Sequence, residues 1–457
     1  MSDRGRSWFG PLLLRLHFLA GILVGPFLLV AAFSGAVYAL TPTLEQVVYA
    51  TELHAPVRGE PLPLAAQIAS AADHVGDAAT LSAVRPAPEP GDTTRVMFAD
   101  PDLGPSESRA VFIDPENGEV RGDLTVYGTS GALPLRTWVD GLHRDLHLGD
   151  PGRLYSELAA SWLWIVALAG LALWVRRLRT ARSKRDLLLP NRRHTGYRRL
   201  FGWHASVGVW VVIGAVFLSA TGITWSQYAG ANVSQLRAVL GGATPVLDTA
   251  LGGGDAPVDE HAGHHGPTSA PTGAANPATF DAVLAIARRI NANAAAVEIA
   301  PPLAPGAAWT VREIKTSFPT EVDQVAIDGT TLQVVDRVDF ADFPLAAKLA
   351  RWGVDLHMGA MFGVVNQLAL FLLAMAIAAM VVLGYAMWAK RRPPRSPRRF
   401  GGAPPEPGAL RAAPWWGVLA VAGAGVAIGL LLPLVGVTLV AFVLVDTVQG
   451  LRARRPA

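Results

Sequence analysis

Apolar residues run long in this chain and are seldom interrupted. Four stretches reach the roughly 20 residues that a helix needs to cross a bilayer core: Leu12 to Leu40, Leu158 to Val175, Trp203 to Trp225 and Phe362 to Trp388. A fifth apolar region, Trp415 to Val445, suits one tilted helix or two short ones broken near Pro433, where proline removes a backbone donor and disfavours helix in the residue before it. Between the spans the pattern changes. Leu62 to His74 and Phe280 to Ile290 carry apolar residues at helical spacing, and each is followed by short alternating strands that end in a hairpin. In the first hairpin Arg109 to Ile113 and Glu119 to Arg121 flank the turn Asp114-Pro115-Glu116-Asn117-Gly118. In the second, Gln324 to Ile327 and Leu332 to Val335 flank Asp328-Gly329-Thr330. The fold class expected is a mainly α membrane protein with two small outer α+β modules.

Charge orients the spans. Basic residues crowd Arg176 to Arg199, Lys390 to Arg411, the N-terminus (Arg4, Arg6) and the tail (Arg452, Arg454, Arg455). Putting all four on the cytoplasmic face requires an even number of spans after the fourth, so the positive-inside rule favours six helices with both termini cytoplasmic, as in a bacterial inner membrane. The expected divisions are 1–40 for the N-terminus and first span, 41–157 for the first outer module, and 158–202 for the second span and its basic loop. The third span follows at 203–226, the second outer module at 227–361, the fourth span with its basic loop at 362–412, and the closing hairpin and tail at 413–457. The first span is too long for the apolar core of a cleaved signal and has an internal counterpart at Trp203, so it reads as retained.

Composition narrows the chemistry. Of the 457 residues, 51% are hydrophobic and 16% charged, with mean hydropathy +0.32, too apolar for an ordinary soluble enzyme. The arginine clusters read as topology signals and not as a nucleic-acid surface. Cysteine is absent, which excludes disulfides, thiolate-held clusters and covalent haem within this chain. No G-x-G-x-x-G stands at a strand-to-helix turn, so nothing announces a nicotinamide or flavin site.

The spans are duplicated. Trp138, His143, Gly149, Gly170 and Trp174 match Trp352, His357, Gly363, Gly384 and Trp388 without a gap, as W-x4-H-x5-G-x20-G-x3-W. His17, Gly21, Gly35 and Tyr38 likewise match His204, Gly208, Gly222 and Trp225, as H-x3-G-x13-G-x2-aromatic. A lone histidine at a helix end is usually a hydrogen-bonded interfacial residue. Four in a two-fold pattern suggest ligands for a group held between helices, because ionisable side chains at membrane depth are costly without a partner. Haem suits them, with His17 opposite His204 near one face and His143 opposite His357 near the other. His147 shares a helix face with His143 and stays an alternative ligand or a proton-handling neighbour. The glycines allow close helix packing, and equally make room for a porphyrin. The tryptophans read as interfacial anchors.

These residues resemble the PepSY-associated transmembrane family of PiuB-like, iron-regulated membrane proteins. The matching motifs are Leu16-His17 with Gly21, the run Leu142-His143-Arg144-Asp145-Leu146-His147-Leu148-Gly149-Asp150-Pro151-Gly152-Arg153, and Leu356-His357-Met358-Gly359 leading to Phe362-Gly363-Val364-Val365-Asn366-Gln367. The resemblance implies a four-helix haem core, two noncovalent haem b groups, PepSY-like outer modules, and an oxidoreductase that reduces ferric siderophores or related metal complexes to release iron. Electrons would come from membrane quinol or a partner protein.

Other readings compete with that one. A haem-free, membrane-anchored binding module acting on an envelope peptidase or another partner predicts tolerance of His17, His143, His204 and His357 replacement. A transporter with parallel repeats fits poorly with spans nearly free of acidic residues. Separately, Asp259, Glu260, His261, His264 and His265 form a compact group in a Gly, Ala, Pro and Ser-rich loop that can take copper, zinc or ferric iron, or stay solvated without a structural role.

Overall fold

The computed structural model describes residues 8–76, 80–181, 183–191, 193–252, 276–290, 292, 294–392 and 401–452. Its first helices are α1 (Phe9–Leu23), α2 (Gly25–Val48), α3 (Ala50–Leu53), α4 (Leu64–Val75), α5 (Pro134–Arg144), α6 (Asp150–Thr180) and α7 (Arg185–Leu188). Then come α8 (Gly196–Thr224), α9 (Tyr228–Val239), α10 (Pro277–Arg289), α11 (Leu345–His357), α12 (Gly363–Lys390), α13 (Trp415–Leu431) and α14 (Pro433–Arg452). The strands are β1 (Thr80–Arg85), β2 (Thr94–Ala99), β3 (Glu107–Ile113), β4 (Val120–Tyr127), β5 (Val297–Ala300), β6 (Trp309–Glu313), β7 (Gln324–Ile327) and β8 (Val334–Val338). Two compact units result. One takes the chain up to Ala39, Gly141–Ala238 and from Leu368 onward; the other takes Leu40–Asp140 and Val239–Gln367.

The helical unit is the membrane part. Among the described residues α2, α6, α8 and α12 are long and apolar enough to cross a bilayer, and side chains such as Ile213, Leu23 and Leu372 stand exposed along them and α1, as lipid contact requires. The first predicted span proves to be two helices, α1 and α2, bent at Gly25-Pro26. Pro26 has no N–H for the carbonyl of Ile22, and the Tyr385 hydroxyl donates to that carbonyl instead, at 2.6 Å. Gly25 is the space for it: a Cβ there would lie 3.1 Å from the Tyr385 ring. The second span begins earlier than apolarity alone indicates, at Asp150, because Gly149 adopts φ 64° and Pro151 opens the helix at a position where its missing N–H costs nothing.

Small residues set the approach of α6 to α8. Ser161 and Ser219 are fully buried, Ser219 donates to the Ala160 carbonyl, and a Cβ on Gly222 would lie 3.2 Å from that of Ala160. Close contact of this kind drives helix association where lipid supplies no hydrophobic force. Beyond α8 the chain turns on charges borrowed from α6. The buried Glu157 carboxylate accepts from the N–H groups of Tyr228 and Ala229, each at 3.0 Å, while Arg153 donates to the Trp225 carbonyl at 3.2 Å. An anion thus meets one helix N-terminus and a cation meets a C-terminus, as the helix dipoles favour. The apolar region after Trp415 folds as two helices, α13 and α14, broken at Leu432-Pro433. Gly429 and Gly436 let them touch, since a Cβ on Gly429 would fall 3.0 Å from the Gly436 Cα. Trp162 of α6 holds the pair by donating to Thr438 Oγ1 at 2.9 Å.

The second unit corrects an expectation. The two outer modules are not separate: their strands form one antiparallel sheet in the order β4-β3-β2-β1-β5-β6-β7-β8. Each half is a four-stranded meander, and the join is β1 against β5, with Val84 opposite Ile299. Left apart, both strands would be open edges with unpaired backbone groups, and pairing them removes that liability. Helices α4 and α10 lie over one face of the joined sheet, burying Leu64, Ile68, Val84, Val96, Phe280 and Ile299 in a common core. They are also tied at their ends, because the Asp281 carboxylate of α10 accepts from the Leu64 and Ala65 N–H groups at 2.9 and 3.0 Å. The strand after the first turn runs to Tyr127, past the predicted Arg121, and pairs along β3 with a register shift between Phe112 and Ile113.

Charge crosses the join as well. Arg85 of β1 donates to Glu298 of β5 at 2.8 Å through Nε and to the Thr129 carbonyl at 2.7 Å. Burial raises the Glu298 pKa, but Arg85 and Arg312 together outweigh it and hold the carboxyl below its ordinary range. Both side chains of the pair are nearly buried, at 8% and 12% exposure. Removing one partner of a buried pair leaves the other uncompensated, at a cost of about 3 kcal/mol or more. Arg85→Ala is therefore expected to lower the melting temperature of the detergent-purified chain by several degrees, with Lys315→Ala, whose side chain and partner Glu321 are 31% and 38% exposed, as the near-neutral comparison.

Candidate functional site

His17 and His204 lie within α1 and α8, His143 and His357 at the ends of α5 and α11, and the helical unit brings three of the four onto glycines of the same repeat. His17 of α1 rests on Gly170 of α6: a Cβ at Gly170 would lie 2.9 Å from the His17 Cε1. His204 of α8 faces Gly384 of α12, with the corresponding distance 4.0 Å. His143 rests on Gly35 of α2 at 2.9 Å. Gly21, by contrast, has nothing within 4 Å and has no partner of this kind. The glycines at 35, 170 and 384 are thus cradles for imidazole, and a repeat read as helix packing has a second use.

The anchoring of the rings is repeated too. His17 Nδ1 lies 2.9 Å from the Val166 carbonyl. A carbonyl only accepts, so Nδ1 carries the proton and Nε2 keeps a free lone pair. The Met380 carbonyl approaches His204 in the same way, and Met380 stands in the repeat where Val166 does. That approach stops short of a full hydrogen bond, since His204 Nδ1 is buried without one. The two rings meet edge to face, with centroids 6.1 Å apart and planes at 72°. That separation leaves room for a metal ion held by both imidazoles, whose neutral nitrogens suit haem iron.

His143 has a different anchor, which the sequence pattern did not single out. Ser34 Oγ donates to the Val30 carbonyl at 2.8 Å and lies 3.0 Å from His143 Nδ1. With its proton spent on Val30, the hydroxyl accepts from Nδ1–H, which fixes the tautomer of the ring. Tyr155 donates to the His143 carbonyl at 2.7 Å, and Tyr38 stacks on the ring at 6.3 Å. Thr221 occupies the position of Ser34 in the second repeat and bonds Phe217 as Ser34 bonds Val30, at 2.9 Å. The signal was present in the sequence as a hydroxyl before each repeat glycine, Ser34-Gly35 and Thr221-Gly222.

His147 is exposed and lies apart from that arrangement. Leu146 and His147 both adopt φ 56°, a turn that folds the ring back over Gly141, where a Cβ would lie 2.6 Å from it. His357 closes α11 in the other unit. Beside it, Asn366 donates to the Leu356 carbonyl at 2.9 Å, and the buried Asn366 Oδ1 and Trp352 Nε1 have no hydrogen-bond partner. Asp355 is buried and pairs with Arg351 at 3.0 Å. Burial pushes its carboxyl above the ordinary range, and Arg351 offsets that only in part.

The cluster Asp259, Glu260, His261, His264 and His265 lies outside the described residues. Among the described residues no group of three or more histidines and carboxylates is arranged to hold a metal ion, so the paired imidazoles of the helical unit are the candidate centre.

No curated protein matches the chain. The family described as the PepSY-associated TM region matches residues 14–391, a stretch that takes in all four repeat histidines and both halves of the sheet. The chain therefore belongs to the PepSY-associated transmembrane family, and it is an integral membrane protein.

Proposed function

We propose that this protein carries electrons across the membrane on two noncovalent b-type haems and reduces a ferric siderophore or a related metal complex at the face opposite its basic segments. The observation that carries the reading is the His17–His204 pair, with rings 6.1 Å apart and the Nδ1 of His17 held by the Val166 carbonyl of α6. Haem iron, when bound, supplies a one-electron couple whose potential the axial ligands tune. The rest is the work of the chain. His17 and His204 would hold one haem near the basic end, and His143, in the same helical unit, would serve the second. Val166 and Ser34 fix the tautomers of their histidines, as partners of metal-bound imidazoles do. Gly35, Gly170 and Gly384 keep space beside each ring. His17 lies on α1 and Ser34 on α2, up to about 25 Å apart across the bend at Gly25-Pro26, and on this reading the two sites serve opposite faces. The chain carries no nicotinamide or flavin motif, and the donor is a membrane quinol or a partner protein. At the far face, hard oxygen ligands favour Fe(III), and reduction to Fe(II) loosens their hold.

A dithionite-reduced minus oxidised spectrum of the purified protein tests the reading. Sharp b-type bands are expected, and a protein that purifies without any haem would sink it in favour of a membrane-anchored binding module.

A further inference from the structure

A cavity of about 110 Å³ opens between α1, the turn at Ala409–Ala412 and α14, lined by Leu12, Arg15, Leu410, Arg411, Phe442 and Asp446 among others. We propose that it binds the phosphate group of an anionic phospholipid. Neither the family resemblance nor the electron-transfer reading enters the argument, and α14 lies beyond the residues 14–391 that the family matches.

Charge comes first. Arg15 is 2% exposed on an apolar helix. It pairs with Asp446 and donates to the Pro405 carbonyl and to Gln449 Oε1, the last at 3.1 Å. A guanidinium has five N–H donors; the bonds to Pro405 and Gln449 use two, and Nε, although paired with Asp446 by charge, makes no hydrogen bond. Arg411 adds a second positive charge from the exposed side of the cavity. Asp446 is the one carboxylate in the lining; it also accepts from the Gly408 N–H at 3.2 Å. Two cations against one anion leave the cavity positive.

Shape and position then choose among anions. Leu12, Leu410 and Phe442 make part of the wall apolar, and the cavity sits where the helices meet the basic segments after Lys390. Basic pockets between membrane helices on that face take anionic headgroups. A volume of about 110 Å³ is room for a phosphate group, and guanidinium groups suit its planar bidentate recognition.

Native mass spectrometry of the detergent-purified full chain tests this, with phosphatidylglycerol or phosphatidylcholine added. Each basic side chain near an anionic headgroup contributes about 1 kcal/mol, which is about fivefold in retention. Wild type is expected to retain phosphatidylglycerol about fivefold better than phosphatidylcholine, Arg411→Gln to lose most of that preference, and Arg411→Lys to keep it. Arg411 is exposed, so the variants fold. Equal retention of the two lipids by wild type, or an unchanged preference in Arg411→Gln, overturns the proposal. Displacement of the bound lipid by millimolar inorganic phosphate overturns the lipid assignment in favour of a free anion.

Discussion

Replacing His204 by alanine is expected to halve the pyridine haemochrome signal, from the two b-type haems per chain of the proposed function to one. The ring of His204 lies 6.1 Å from that of His17, and without it the site at the basic end would lose one of its two imidazoles. His143→Ala should remove the other haem and leave the first, because His143 is held by Ser34 on α2, up to about 25 Å from His17 across the bend at Gly25-Pro26. The two losses should differ in their spectra and add in the double variant, as independent sites do. His147→Ala should lose neither, since that side chain is exposed and turned over Gly141. Loss of both haems in either single variant would contradict two separate sites.

A pair of glycine substitutions gives the second large contrast. In Gly170→Ala the added methyl falls 2.9 Å from the His17 Cε1 and 3.3 Å from its Nδ1, closer than real contacts allow. The ring must leave its place, and with it the bond from Nδ1 to Val166. The variant is expected to lose the haem at the basic end and retain the other. Gly21→Ala is the control, with the same residue change in the same apolar setting and nothing within 4 Å of the new methyl. It should keep both haems and gain up to about 1 kcal/mol from helix propensity. The haemochrome count separates the two variants directly, and equal behaviour would show that Gly170 serves packing alone.

Much of this arrangement was legible in the residues. Gap-free spacing of histidine, glycine and tryptophan revealed the duplication, and runs of apolar residues found the long helices but fell about two turns short at ends such as Asp150, Gly196 and Val48. The bend at Pro26 was harder to foresee, because what stabilises it is a hydroxyl from Tyr385, far along the chain. Ser34 and Thr221 escaped notice because a hydroxyl inside an apolar helix usually just bonds the preceding turn, as both do here. Only the additional approach of His143 to Ser34 shows a second role. The joined sheet was least legible. Alternation marks each strand and its local hairpin partner, but the pairing of β1 with β5 rests on backbone groups, which carry no pattern in side chains.

That pairing also sets a timetable for biogenesis. Some 210 residues separate Arg85 from Val297, and within them lie the whole of α6 and α8. At the pace of translation the ribosome needs on the order of ten to forty seconds to cover that length. For that interval the first half of the sheet waits with β1 unpaired, while two helices enter the membrane. An open strand edge in that state invites pairing with a neighbouring nascent chain, so correct assembly depends on the delivery of β5 before a stranger's strand arrives.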